Sequence, residues 1–133
     1  MCMADIDHML QVDQQWPRRY YIKSIVSPNF YAYLARIEDQ YAGNVMFRIL
    51  EPNLLIDKIG VMHAFRRWGI GAKLLEKAMV TGRLKNAKNV SLTVSQSNIS
   101  AIKFYTTQGF KIDSLQADYY SEGDHGVKMY RKI

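Results

Sequence analysis

A mixed, mostly antiparallel sheet flanked by helices, an α/β (α+β) fold, is what this sequence predicts, and three observations predict it. Phe30–Ile37, Tyr41–Leu50 and Leu54–Val61 are strand-like runs joined by the short turns Glu38-Asp39-Gln40 and Glu51-Pro52-Asn53, which is the pattern of an antiparallel meander. The rhythm then changes at Gly69, where Leu74, Leu75, Ala78 and Met79 fall on one face of a helix running to about Asn86. Beyond it Val90, Leu92 and Val94 alternate with Ser91, Thr93 and Ser95, the period-2 signature of a strand.

The remaining elements follow from local chemistry. Asn98 is placed to cap a second helix through about Gln108, and Gly109 to stop it. Phe110–Leu115 and Val127–Arg131 read as final strands around a polar loop at Ser121-Glu122-Gly123-Asp124. Towards the front, Ile6, Met9, Leu10 and Asp13 suggest a short amphipathic helix over about Ala4–Gln15, ended by Trp16-Pro17. Arg18–Val26 is ambiguous and is read as room for a second short helix before Ser27-Pro28-Asn29.

At 133 residues the chain is expected to form one domain over 1–133. Its formal net charge of +6 favours anionic partners, among them a phosphorylated cofactor, a nucleic acid or an acidic peptide. One cysteine, Cys2, excludes an intrachain disulfide and a thiolate zinc cluster, and His8, His63 and His125 show no ligand spacing, so no metal is expected. There is neither a membrane-spanning apolar run nor a signal pattern, which gives a cytoplasmic location and no membrane partner as expectations.

The chemistry concentrates at Arg66-Arg67-Trp68-Gly69-Ile70-Gly71, between an apolar strand and a helix. The first turn of a helix leaves backbone N–H groups unpaired, the macrodipole adds partial positive charge, and glycines let an anion approach closely. Two arginines can add charge-assisted bonds to phosphate oxygens. The stretch therefore reads as a cradle for a pyrophosphate. It has neither the G-x-G-x-x-G spacing of dinucleotide folds nor the Gly-Lys-Ser/Thr of a P-loop.

Arg-x-x-Gly-x-Gly after an apolar strand resembles the acetyl-coenzyme A motif of the GNAT N-acetyltransferases. Ser97-Asn98-Ile99-Ser100-Ala101-Ile102-Lys103-Phe104-Tyr105-Thr106-Thr107-Gln108-Gly109-Phe110 is similar to that family's second motif. Asp118-Tyr119-Tyr120 with Gly123-Asp124 resembles the tail of its RimI-type branch, which acetylates protein N-termini. The resemblance implies the GNAT fold, with a first strand short or missing, since only Met1-Cys2-Met3 precede Ala4. It implies acetyl-CoA as co-substrate, with Ile59, Gly60 and Val61 along the pantetheine arm and Arg66 to Gly71 on the pyrophosphate. Asn98 would hydrogen-bond the cofactor or serve as a plain helix cap. Tyr105 would be the general acid for the departing thiolate, a role open to a phenol with a pKa of about 10, or an aromatic packed on the sheet. Gln15–Tyr21, Tyr31 and Tyr119 would line the acceptor channel.

One position departs from the pattern. Five residues before the asparagine that branch commonly carries a Glu or His as general base, and here stands Thr93. Asp57 is the candidate substitute, because strict alternation would place it on the apolar face of Leu55 and Ile59; pairing with Arg48 or Lys58 is the competing role. A site without a strong base suits an α-amine, about 10–20% neutral at pH 7, better than a lysine amine, about 0.04% neutral. The expected partner is therefore an amine acceptor, a protein or peptide N-terminus, with a homodimer left open. A small-molecule amine, or a non-catalytic acetyl-CoA-binding regulator, are the alternatives, and nucleic acid is the least favoured.

Overall fold

The computed structural model describes residues 9–12, 20–27, 30–66 and 68–133, the first two segments as backbone alone. Their strands form one sheet: β1 (Met9–Val12), β2 (Tyr20–Ser27), β3 (Phe30–Ile37), β4 (Gln40–Leu50), β5 (Asn53–Val61), β6 (Asn89–Ser95), β7 (Lys111–Ser121) and β8 (Asp124–Lys132). Two helices, α1 (Ile70–Leu84) and α2 (Ile99–Thr107), and a single 3₁₀ turn at His63–Phe65 complete the described elements. The sheet order is β1-β2-β3-β4-β5-β6-β8-β7, antiparallel throughout except for the β5–β6 pair.

The predicted meander is present as β3–β4–β5, with Glu38 and Asp39 at positive φ in the first turn. Both helices lie where periodicity placed them. Asn98 caps α2 by accepting the Ala101 N–H at 3.1 Å, and Gly109 ends it at φ 90°. The last two strands are longer than expected, because the polar loop narrows to a tight turn between Ser121 and Asp124.

The front of the chain corrects the helical expectation. Of the helix expected over residues 4–15, the described part, Met9–Val12, is a strand, and the rest lies outside the described residues together with Trp16-Pro17. Tyr20–Ser27 is likewise a strand, in continuous antiparallel register with β3 from Tyr20↔Ile37 to Ser27↔Phe30. Its aromatic and β-branched residues suit a pleated surface, and β3 supplies the ladder that decides the matter. The first strand, expected to be short or missing, is four residues long.

The core joins α1 to β3, β4, β5, β6 and β8. Tyr33, Ala35, Ile37, Val45, Phe47, Leu54, Leu74, Leu75, Val90 and Met129 are all buried there. Each of the larger side chains contributes about 1.5–3 kcal/mol by leaving water. One buried polar pair is included: Thr81 Oγ1 donates to the Lys77 carbonyl at 3.0 Å, so the Tyr33 hydroxyl is the donor in their 2.6 Å contact.

Two irregularities shape the cleft. β5 and β6 pair only from Asn53↔Asn89 to Leu55↔Ser91, and beyond that point the edges of the two strands are not bonded to each other. In addition, the β4–β5 register slips between Met46↔Lys58 and Phe47↔Ile56, which leaves Asp57 as the extra residue of a bulge.

Candidate active site

The unpaired ends of β5 and β6 open two connected depressions. One, of about 290 Å³, lies on the α2 side and is lined by Ile59, Thr93, Ser95, Asn98, Ala101 and Tyr105. The other, of about 350 Å³, is lined by Arg48, Leu55, Ser91, Gln116, Tyr119 and Lys128. Ile56, Asp57, Leu92, Thr93 and Tyr120 border both, so the two meet at the point where the strands part.

Tyr105 sits in the wall of the first depression, 6% exposed, with its ring edge-on to Phe104 and Phe110 at 5.1 and 5.4 Å. Burial pushes its phenol up to about 12. The ring packs, as one of the two expected roles requires, and the residue also lines the cleft with its phenol kept protonated by burial. Asn98 is the helix cap and lines the same depression. Its Oδ1 is used by the cap, and its NH₂ group remains available in the lining.

The cradle is built from the end of β5 and the start of α1. Ile59, Gly60 and Val61 lie on the stretch of β5 that β6 does not pair. Arg66 Nε donates back to the Val61 carbonyl at 3.5 Å. Trp68 meets Phe65 edge-on at 5.9 Å, which anchors the loop to a buried residue. Gly69 stands at φ 77° as the N-cap of α1, a conformation that a side chain would strain, and no side chain caps the helix. The amides of Ile70 and Gly71 precede the first intrahelical bond, Lys73 N–H to the Gly69 carbonyl at 3.0 Å. Arg67 lies outside the described residues.

Asp57 does not take the expected position. The bulge breaks the alternation that would have aligned it with Leu55 and Ile59, and its carboxylate turns to Arg48. Arg48 Nε donates to both oxygens at 3.1 and 3.0 Å and Nη2 donates at 2.8 Å. The pair is raised in guanidinium basicity by that hydrogen bonding first and by the opposite charge second. Of the two roles weighed for Asp57, the structure shows the ion pair, at a position that borders both depressions.

The β7–β8 hairpin carries the Asp118-Tyr119-Tyr120 and Gly123-Asp124 segments singled out in the sequence, and its strands run further than expected. Between Gln116↔Gly126 and Ser121↔Asp124, four residues of β7 face one of β8, and the excess swings Tyr119 and Tyr120 over the cleft. The Tyr120 hydroxyl donates to the Thr93 carbonyl at 3.0 Å. Burial first, then Tyr119 and Asp124, raise its pKa. The turn is tied by Asp118, whose N–H donates to His125 Nδ1 at 2.9 Å and whose Oδ1 accepts the Gly123 N–H at 2.8 Å. Tyr31 stacks on Phe47 at 5.1 Å and lines neither of the two depressions; of Gln15–Tyr21 only the backbone of Tyr20 and Tyr21 is described.

No group of three or more metal-ligating side chains occurs among the described residues, and no described helix is long and apolar enough to cross a membrane.

This geometry has close counterparts. An N-alpha-acetyltransferase of Sulfurisphaera tokodaii is 26% identical over 145 residues, covering 96% of this chain and 87% of the relative. The crystal structure of Ard1 from Thermoplasma volcanium superposes with a TM-score of 0.71 at 27% identity, covering 79% of this chain and 70% of the other. Nourseothricin acetyltransferase superposes with a TM-score of 0.76 at 26% identity, over 79% of this chain and 66% of the other. Residues 3–110 match the model of the acetyltransferase (GNAT) family. With the split β5–β6 edge, the uncapped α1 and Tyr105 in place, the chain belongs to the acetyltransferase (GNAT) family and is an acetyl-CoA-dependent acetyltransferase.

Proposed function

We propose that the acceptor is the α-amine of a protein or peptide N-terminus. The observation that carries this reading is the pair of depressions meeting at Thr93, one bordered by Tyr105 and the other by Tyr119, Gln116 and Arg48. The acetyl-pantetheine end of acetyl-CoA is assigned to the first. The open edge of β5 at Ile59, Gly60 and Val61 offers peptide groups to the pantetheine arm. The amides at Gly69, Ile70 and Gly71 and the side chains of Arg66 and Trp68 would hold the pyrophosphate, Arg67 being expected there from the sequence alone, and the Asn98 NH₂ group would donate to the arm. Bound there, acetyl-CoA supplies the activated acetyl group.

The chain's own part is to orient, to exclude water and to move protons. The two depressions bring an amine entering from the β7–β8 side against a thioester held on the α2 side. Tyr105 gives its proton to the departing thiolate, a transfer its buried phenol is poised to make because it is protonated at every physiological pH. The Thr93 side chain cannot act as a base, which favours an acceptor already partly neutral at pH 7, as an α-amine is and a lysine amine is not. The Sulfurisphaera relative, named for N-alpha acetylation, supports the same acceptor. The likeness to nourseothricin acetyltransferase favours a second reading, a small-molecule amine. A cytoplasmic location is part of the proposal, checked by cell fractionation.

The test is turnover of acetyl-CoA against N-terminal peptides, internal-lysine peptides, polyamines and other small amines. Fastest turnover of the N-terminal peptides is expected. A clear preference for lysines or small amines would overturn the α-amine reading.

A further inference from the structure

Three polar side chains at the mouth of the cleft form a connected series. Ser95 closes β6 on the strand face that alternation gives to Ser91 and Thr93, and it lines the same depression as Thr93, Tyr105 and Tyr120. Its hydroxyl donates to Asp124 Oδ1 at 2.5 Å. It also accepts the Ser97 N–H at 3.3 Å, and the Ser97 hydroxyl lies 2.8 Å away. Since a hydroxyl has one proton and Ser95 gives it to Asp124, Ser97 is the donor in that last contact. The Ser97 side chain is exposed and can turn to water, which frees one Ser95 lone pair for a group in the cleft.

Asp124 differs from the other carboxylates around the site. Asp57 is held by Arg48, Asp113 lies 4.0 Å from Lys128, and Asp118 accepts the Gly123 N–H while its own N–H donates to His125 Nδ1. Among the described residues no cation pairs with Asp124, whose hydrogen-bond partner is Ser95. The titratable groups facing it are Tyr120, with Tyr119 beyond, from β7, and its neighbour His125, which is turned to Asp118. From β6 the Ser95 hydroxyl faces it, with the Ser97 hydroxyl behind Ser95.

We propose that Ser95 and Asp124 form a proton relay that deprotonates the acceptor ammonium, supplying the base that Thr93 cannot be. Ser95 meets the amine, directly or through one water, and Asp124 acts through it as a positioning residue and proton sink. In the step, an N–H bond of the ammonium breaks as the Ser95 oxygen takes that proton, and the Ser95 proton passes to the Asp124 carboxylate. The products are a neutral amine and a carboxylic acid. The amine attacks the thioester carbon, the C–S bond breaks, and the thiolate takes the Tyr105 proton. The proton left on the new amide nitrogen restores Tyr105, and Asp124 releases its proton to solvent. This relay rests on the amine-acetylation reading above.

The experiment is the pH dependence of kcat/KM for an N-terminal peptide from pH 6.5 to 9.5, in the full chain and in Asp124→Asn, Asp124→Glu and Ser95→Ala. Acetyl-CoA affinity is measured for each by titration. At pH 7 Asp124→Asn and Ser95→Ala are expected to fall about tenfold, with acetyl-CoA affinity unchanged. By pH 9.5, where an α-amine with a pKa near ~7.8 is neutral without help, the gap closes to within about twofold. Asp124→Glu keeps more of the rate than Asp124→Asn. A gap that stays constant with pH, or no gap at pH 7, overturns the relay and leaves amine acetylation standing. Failure of the unaltered chain to acetylate any amine overturns both. Should Asp124→Asn not fold, Ser95→Ala decides by the same criterion, since it removes a single oxygen.

Discussion

Arg48 holds the carboxylate of Asp57 from the neighbouring strand, its Nε 3.1 and 3.0 Å from the two oxygens and its Nη2 at 2.8 Å. The contact exists because the β5 bulge leaves Asp57 without a partner position on β4. We take this pair to serve shape rather than proton transfer. Asp57→Asn is therefore expected to lower kcat/KM by less than about fivefold and to leave the form of its pH profile unchanged. Both partners are solvent-accessible, so the loss of stability stays within about 1 kcal/mol. Initial rates across pH check this, and a hundredfold fall confined to low pH would return Asp57 to the role of base.

Tyr105→Phe keeps the ring between Phe104 and Phe110 and removes only the hydroxyl. We expect kcat to fall about a hundredfold, the scale of a general acid, while acetyl-CoA affinity changes less than about threefold. Because the phenol is raised to about 12, the unaltered enzyme should show no alkaline fall in kcat up to pH 10. Single-turnover kinetics and cofactor titration separate the two effects. Equal loss of affinity and rate would mean that the hydroxyl binds rather than reacts.

The same tyrosine sets a stability prediction. Its phenol titrates near about 10 in the unfolded chain and at about 12 in the folded one, so the folded state resists deprotonation. Below pH 10 both states are neutral and the full stability is present; it is lost progressively as pH rises from 10 through 12. The loss is of the order of 2–3 kcal/mol. Urea unfolding at pH 9 and pH 11 should show this fall in the unaltered chain and a smaller one in Tyr105→Phe.

How much of this was readable in advance depended on how local each signal was. The alternation of β3, β4 and β6, the α1 stripe and the Asn98 cap are written within a few residues, and the structure follows them. Tyr20–Ser27 was not, because its strand state depends on pairing with β3 rather than on its own pattern. Asp57 was misplaced by one inserted residue, since a bulge reverses every inside–outside assignment beyond it and leaves no mark in composition. Ser95 and Asp124 lie 29 apart in sequence and meet only because Ser95 is in register with Gly126. The polar face Ser91, Thr93, Ser95 and the acid in the following hairpin were the available signals, and a long-range pairing was needed to join them.

Gly43 gives a further test, through the strand that borders the cofactor. It pairs with Val61, and a methyl group there would sit 2.5 Å from the Gly60 carbonyl oxygen and 3.2 Å from the Val61 Cα. Both obstacles are backbone, so relief requires β5 itself to move just where Ile59, Gly60 and Val61 face the open edge. Gly43→Ala is expected to destabilise the fold by about 1–3 kcal/mol and to weaken acetyl-CoA binding about tenfold. Gly60→Ala is the control for stability, because its methyl group meets only Asn44 Oδ1 at 3.5 Å, an ordinary contact. Thermal unfolding and acetyl-CoA titration of the two variants check the pair. Equal stability of Gly43→Ala and Gly60→Ala would show that β5 is free to shift, and that the cleft edge is not fixed by its approach to β4.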